Sequence, residues 1–158
     1  MQHRRIRLGM LTPSSNTALE PITAAMLSEL PHVSAHFARF TVTEIALSEQ
    51  ALGQFDASRI LAAARQLADA RVDVIGWSGT SAGWLGFERD QALCRQITEA
   101  TGIPATTSVL ALNEIFDKTG VRRLGLVSPY IDDVQQRIVR HYEKLGIECV
   151  AARQARPA

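Results

Sequence analysis

Three short segments concentrate small hydroxyl, amide and glycine residues directly after apolar runs: Ser14-Ser15-Asn16-Thr17, Gly79-Thr80-Ser81 and Ser128-Pro129-Tyr130. Side chains of this kind donate hydrogen bonds without carrying charge, and turns built from them expose backbone N–H groups. The combination favours an anion, either carboxylate or phosphate. A single such turn is ordinary turn chemistry. Three of them at equivalent places point to one shared anion pocket. Other catalytic chemistry is poorly represented. The four histidines form no HExxH motif, and Cys94 and Cys149 have no CxxC or Cys/His spacing, so neither a metal site nor a disulfide is expected. Ser78 or Ser81 acting as a nucleophile would need a base, and no histidine lies in a matching turn. Cys94 falls in a predicted helix and Cys149 in mid-strand, where free cysteines behave as small hydrophobes.

The elements that must position these turns alternate between strand and helix. Ile6 to Leu11 reads as a buried strand entering the first turn. Thr17 and Glu20 have capping-box spacing for the next helix, or Pro21 marks its first turn. Ile22, Met26, Leu27 and Leu30 share one face of that helix, which Pro31 stops. A strand is predicted over Val33 to Val42. The helix after it is capped by Asp56 or Ser58, and its inner stripe is Ile60, Leu61, Ala64, Leu67 and Ala68. Val72 to Trp77 is the strand that feeds Gly79-Thr80-Ser81. Glu88 to Thr101 is a helix with Leu93, Ile97 and Ala100 inward, closed by Gly102 and Pro104. Ser108 to Lys118 is a helix and Leu124 to Val127 a strand. Ile131 to Leu145 is a helix with Val134, Ile138 and Tyr142 on one face, and Ile147 to Ala151 a final strand. Such alternation implies an α/β fold, a parallel sheet with helices on both faces. Ligands of such sheets bind beyond the carboxyl ends of the strands, where all three turns lie.

Composition narrows the function classes. The 158 residues are 46% hydrophobic and 21% charged, ordinary for a globular domain. A formal net charge of +1 gives no reason to expect nucleic acid or a membrane surface as partner. The basic cluster His3-Arg4-Arg5 with Arg7 reads as a solvated chain end. No apolar run reaches membrane-spanning length and no signal peptide is present, so a cytoplasmic location is the default.

The string Leu8-Gly9-Met10-Leu11-Thr12-Pro13-Ser14-Ser15-Asn16-Thr17, followed by Glu20-Pro21, resembles the N-terminal signature of the maleate cis-trans isomerases. Val74-Ile75-Gly76-Trp77-Ser78-Gly79-Thr80-Ser81 resembles the first catalytic loop of the same family, and Tyr130-Ile131-Asp132-Asp133-Val134 the segment that opens its second lobe. The motifs stand in family order, and the similarity runs from about Ile6 to Cys149. The sequence thus resembles the aspartate/glutamate racemase superfamily, in its maleate isomerase and arylmalonate decarboxylase branch.

The resemblance implies two similar α/β lobes with the active site between them. Here residues 1–120 would be a first lobe and 121–158 the start of a second, cut short. It implies cysteine-based isomerisation or decarboxylation of a small dicarboxylate, maleate or a substituted malonate, through a carboxylate-stabilised anion and with no cofactor. By position, Ser14, Ser15, Asn16, Thr80 and Ser81 would bind the substrate carboxylate. Tyr130 would be a donor to the developing dioxyanion, and Gly79 stands at the place of the first-lobe cysteine of isomerases and racemases. The decarboxylase branch also has glycine there, whereas the Ser14-to-Thr17 turn is more isomerase-like. Trp77 is expected to pack in the core and Trp84 to wall the pocket. With Gly79 in the first loop and no second cysteine loop, this chain alone is expected to be inactive, its partner a small carboxylic acid. Uncovered apolar surface and a bare strand edge would favour homo-oligomers. Two alternatives stay open: a non-catalytic carboxylate-binding lobe, and a flavodoxin-like phosphate or flavin binder.

Overall fold

A computed structural model describes residues 4–42 and 57–155. Within them, β1 (Ile6–Pro13), α1 (Leu19–Met26), β2 (Val33–Phe40), α2 (Ala57–Asp69), β3 (Val74–Trp77), α3 (Ala82–Leu85), α4 (Phe87–Thr101), β4 (Ala105–Thr107) and α5 (Ser108–Thr119) succeed one another. They are followed by β5 (Arg123–Ser128), α6 (Asp132–Lys144) and β6 (Glu148–Gln154). The strands form a four-stranded sheet in the order β2-β1-β3-β4 and a two-stranded sheet of β5 and β6, parallel throughout.

The pleat decides which residues enter the core. Alternate positions Leu11, Ile75 and Trp77 point to one face of the four-stranded sheet, where α2 supplies Ile60, Ala63, Ala64 and Leu67 and α4 supplies Leu93 and Ile97. Gly9 lies on this face too. A Cβ there would come within 2.8 Å of the Val72 side chain, so glycine lets the β1 backbone approach α2 and the entry to β3 closely. A second buried cluster joins Ala82 and Trp84 of α3, Phe87 of α4 and Val109 of α5 to Val134, Ile138 and Tyr142 of α6 and to Ile147. Residues from both sides of position 120 therefore share one core.

The helices cover the two faces of the first sheet unequally. Opposite the α2–α4 layer, Leu8, Met10 and Gly76 line a shallow apolar recess of about 350 Å3, bordered by Thr106 to Ser108 and Ala111. The apolar face expected on α1 is not buried: Ile22, Met26 and Leu30 are exposed, Met26 to 75%. Amphipathic spacing reports that a stripe exists, not what covers it. Ala100, expected to face inward, is also exposed. The expected strand from Val72 pairs only from Val74, and that to Val42 ends at Phe40. β4, three residues long, and the single-turn α3 were too short for periodicity to reveal. Gly102 and Gly120 adopt left-handed caps at the ends of α4 and α5. Of the expected caps of α2, Asp56 lies outside the described residues, and Ser58 stands inside the helix.

The scaffold buries a carboxyl group. Asp90, 3% exposed, lies on α4 and is hydrogen-bonded to Thr107 at the end of β4. Burial raises its carboxyl above the ordinary aspartate range, against the Thr107 bond that lowers it. The folded state thus holds the proton more tightly than the unfolded chain, and stability falls as pH rises from the ordinary value through the raised one. Asp90→Asn removes this loss. Its urea midpoint relative to the parent should rise as pH increases above the ordinary aspartate value of about 4. A difference independent of pH would show that Asp90 ionises alike in both states.

Candidate active site

The parallel register between β1 and β3 sets Leu11 beside Trp77, so the first two turns leave the sheet at the same end. Ser78 N–H donates to the Leu11 carbonyl at 3.1 Å and ties the second turn to the first. Pro13, Asn16, Val42, Trp77, Ser78, Gly79, Thr80, Ser81, Trp84 and Tyr130 enclose a cleft of about 220 Å3.

Within the first turn the side chains divide. Asn16 Oδ1 accepts from the N–H groups of Ala18 and Leu19 at 3.0 and 2.8 Å and so caps α1. The expected Thr17–Glu20 capping box does not form. Ala18 stands at the N-cap with no side-chain bond, and Asn16 supplies the acceptor instead. This leaves the Nδ2 amide of Asn16 as its donor for a ligand. Ser14 and Ser15 do not reach the cleft. Both hydroxyls donate to the Val42 carbonyl, at 3.4 and 2.6 Å, and Ser14 Oγ accepts from Val42 N–H. Their work is to fasten the turn to the chain leaving β2.

The second turn brings backbone. Among the described residues, the N–H groups of Gly79, Thr80 and Ser81 enter no backbone–backbone hydrogen bond. α3 follows at once, and Gly86, at φ +108°, links it to α4 in a conformation that other residues rarely adopt. Position 79 is sterically committed. A Cβ there would overlap the Trp77 indole, within 2.6 Å of Cη2 and closer to two other ring atoms. Trp77 is both core and wall: it is 2% exposed, packs against Phe40 with ring centroids 4.9 Å apart, and still lines the cleft.

The third turn closes the cleft from the side of the second sheet. The hydroxyls of Thr80 and Tyr130 are hydrogen-bonded to each other, joining positions fifty residues apart. Tyr130 packs on Trp84, ring centroids 5.0 Å apart. Its loop is held by the buried Ser128 hydroxyl donating to Gln135 at 2.8 Å and by Gln154 donating to Asp132 at 2.7 Å. Sequence reading missed His141, whose Nδ1–H donates to the Gly83 carbonyl at 2.9 Å and so ties α6 to the segment carrying Thr80 and Ser81. Only its place on the inner side of α6, next to Tyr142, could have signalled it.

The structure thus gathers Asn16, Gly79, Thr80, Ser81 and Tyr130, and leaves Ser14 and Ser15 outside. Among the described residues no lysine or arginine lines the cleft, so the donors they bring are neutral. Among the described residues no cysteine lines it either. Cys94 lies half-buried on α4, its thiol pushed up to about 11 by burial and, secondarily, by Asp90. Cys149 lies on β6. With its thiol so raised, Cys94 supplies almost no thiolate near neutral pH. Among the described residues no three His, Cys, Asp or Glu side chains gather as a metal site, and no helix is long and apolar enough to cross a membrane.

The model of the arylmalonate decarboxylase family matches residues 8–156. The chain belongs to the arylmalonate decarboxylase family. It is 28% identical to maleate isomerase from Pseudomonas putida over 155 residues, which cover 90% of this chain and 60% of that enzyme. To arylmalonate decarboxylase from Bordetella bronchiseptica it is 29% identical over 134 residues, 83% of this chain and 52% of that enzyme. Among solved structures, the maleate isomerase Iso from Pseudomonas putida S16 superposes with a TM-score of 0.85 at 25% identity, covering 98% of this chain and 65% of that one. An arylmalonate decarboxylase superposes at 0.72 with 26% identity, covering 94% of this chain and 64% of that one. The racemase-like α/β fold and this branch of the superfamily are thereby established, and the chain spans about 60% of the length of its curated isomerase relatives.

The overlap at Gly79 makes a prediction. Gly79→Ala should lower stability by about 1–3 kcal/mol, the usual cost of overpacking. Most of that loss should vanish when the same change is made in a Trp77→Leu background. Urea unfolding of the four proteins measures the coupling. Additive effects would show that the indole does not confine position 79.

Proposed function

We propose that the cleft binds a small dicarboxylate, of the maleate or substituted-malonate kind, and belongs to an isomerase or decarboxylase working through a carboxylate-stabilised anion. The observation that carries this reading is the convergence of neutral donors from all three turns on one aromatic-walled cleft. Asn16 Nδ2, the Thr80 and Tyr130 hydroxyls and the N–H groups of Gly79 to Ser81 would hold the carboxylate and take up charge as an enediolate develops. A fixed donor at such a charge lowers the barrier by roughly 3 kcal/mol. Trp77, Trp84 and Val42 would exclude water and strengthen those bonds. No step assigned to these residues calls for a cofactor.

The residues described here provide the binding half of such chemistry. Gly79 can neither give nor take a proton, and the Trp77 indole occupies the space a side chain would need. On this reading the proton donor comes from a second lobe beginning near residue 121, and the chain alone binds without turnover. Glycine at position 79 favours the decarboxylase side of the branch. The phosphate or flavin alternative has less support, because the Ser14 and Ser15 hydroxyls that would serve it are bonded to Val42.

Titration with sodium malonate, followed by NMR, should move the amide signals of Asn16, Thr80 and Ser81. Thr80→Val, which deletes one hydroxyl at nearly constant volume, should weaken binding about tenfold, the value of one hydrogen bond to a charged group. Maleate and phenylmalonate should remain unconverted by the purified chain. Unmoved signals at all three residues would remove the carboxylate site. Turnover that tracks the protein would place a proton donor within this chain, with Tyr130 the first residue to test.

A further inference from the structure

Arg39 stands on β2, outside the cleft lining, and the side chain makes an unusual set of bonds. Its Nη1 donates to the backbone carbonyls of Asn16 at 2.8 Å, Ser14 at 3.0 Å and Pro13 at 3.5 Å. Nε and Nη2 turn to Glu20 Oε1, at 3.2 and 2.9 Å. One guanidinium thus spans the whole β1 exit turn and the first turn of α1.

Two consequences follow from elementary electrostatics. Carbonyl oxygens are the negative ends of peptide dipoles, and an anion site is weakened wherever they face it. Arg39 gathers three of them onto itself, and its own side chain is outside the cleft lining. Its charge is meanwhile answered by Glu20, so Arg39 is not offered to a ligand. The planar fork suits this work, since several donors in fixed directions can hold several acceptors at once. A lysine ammonium on a flexible stem keeps the charge and loses the geometry.

We propose that Arg39 is the positioning residue of the carboxylate site: by clamping the carbonyls of Pro13, Ser14 and Asn16, it fixes the turn from which Asn16 Nδ2 meets a ligand. The proposal rests on the carboxylate reading of the cleft. Asn16 is held from two sides, its side-chain oxygen by the N–H groups of Ala18 and Leu19 and its backbone oxygen by Arg39. Removing either hold frees the amide to rotate, and a donor that must first be ordered binds more weakly than one already in place.

The test uses Arg39→Lys and Arg39→Gln in the whole chain, with two NMR readouts. In the free protein, the side-chain amide signals of Asn16 should move toward solvent-exposed values in both variants, while the amides of Ser81 and Trp84 stay in place. Under sodium malonate titration, both variants should bind about tenfold more weakly, and charge retention in Arg39→Lys should not restore affinity. Asn16 signals unchanged in Arg39→Lys would overturn the proposal, as would recovery of wild-type affinity by lysine, which would make Arg39 a plain charge. A parent protein that fails to bind malonate removes the carboxylate reading, and the free-protein signals then still decide whether Arg39 sets the turn.

Discussion

The parallel pairing of β1 with β3 is the constraint on which the site depends. β1 lies inside the sheet with β2 on one edge and β3 on the other, so its backbone groups have partners on both sides and its register is fixed twice. A slip of one residue on β3 would reverse the pleat and exchange the buried Ile75 and Trp77 for Val74 and Gly76. It would also carry Ser78 away from the Leu11 carbonyl, and Gly79 and Thr80 away from the first turn. Burial of Leu11, Ile75 and Trp77 therefore stabilises a register, and the register in turn places donors. Core packing and site geometry are one requirement at this end of the sheet.

A second coupling runs across the cleft. Thr80 belongs to the exit of β3 and Tyr130 to the exit of β5, and their hydroxyls meet. Behind them, α3 packs on α6, close enough that a Cβ on Gly83 would touch Ile138 at 3.4 Å, and His141 bonds the Gly83 carbonyl. The turn that offers N–H groups to a ligand is thus braced by the same helix that follows Tyr130. Rigidity of this kind matters for neutral donors, whose value lies in already pointing at the place where charge will develop.

Much of this was legible in the sequence because it was written in period and punctuation. Apolar runs of strand length ending in Ser, Thr, Asn and Gly gave the alternation of strands and helices, and hence one end of a parallel sheet for the turns. Two kinds of information were not available. Short elements such as β4 and α3 carry too few residues for a period to show. Side-chain partners depend on tertiary neighbours, so the division of labour within one turn was hidden: Ser14 and Ser15 fasten it to Val42, whereas Asn16 both caps α1 and lines the cleft. The exposed face of α1 shows the same limit, since Ile22, Met26 and Leu30 have helical spacing whether or not anything covers them.

On the carboxylate reading, the absence of charged side chains among the described residues that line the cleft acquires a physical sense. A lysine or arginine at the carboxylate would hold the ground state and the anionic intermediate with nearly equal force, and equal stabilisation of both does not speed the step between them. Neutral donors fixed in an aromatic-walled space respond more to charge that gathers on the atoms they face. On that reading the Trp77 indole serves in two ways: it gives the cleft an apolar wall, and it confines position 79 to glycine, so that the peptide N–H groups there could approach an anion without a side chain between. The Arg39 guanidinium near the first turn is occupied by three carbonyls and a glutamate. Its positive charge orders the turn, and on the carboxylate reading the described lining of the cleft meets a ligand with dipoles.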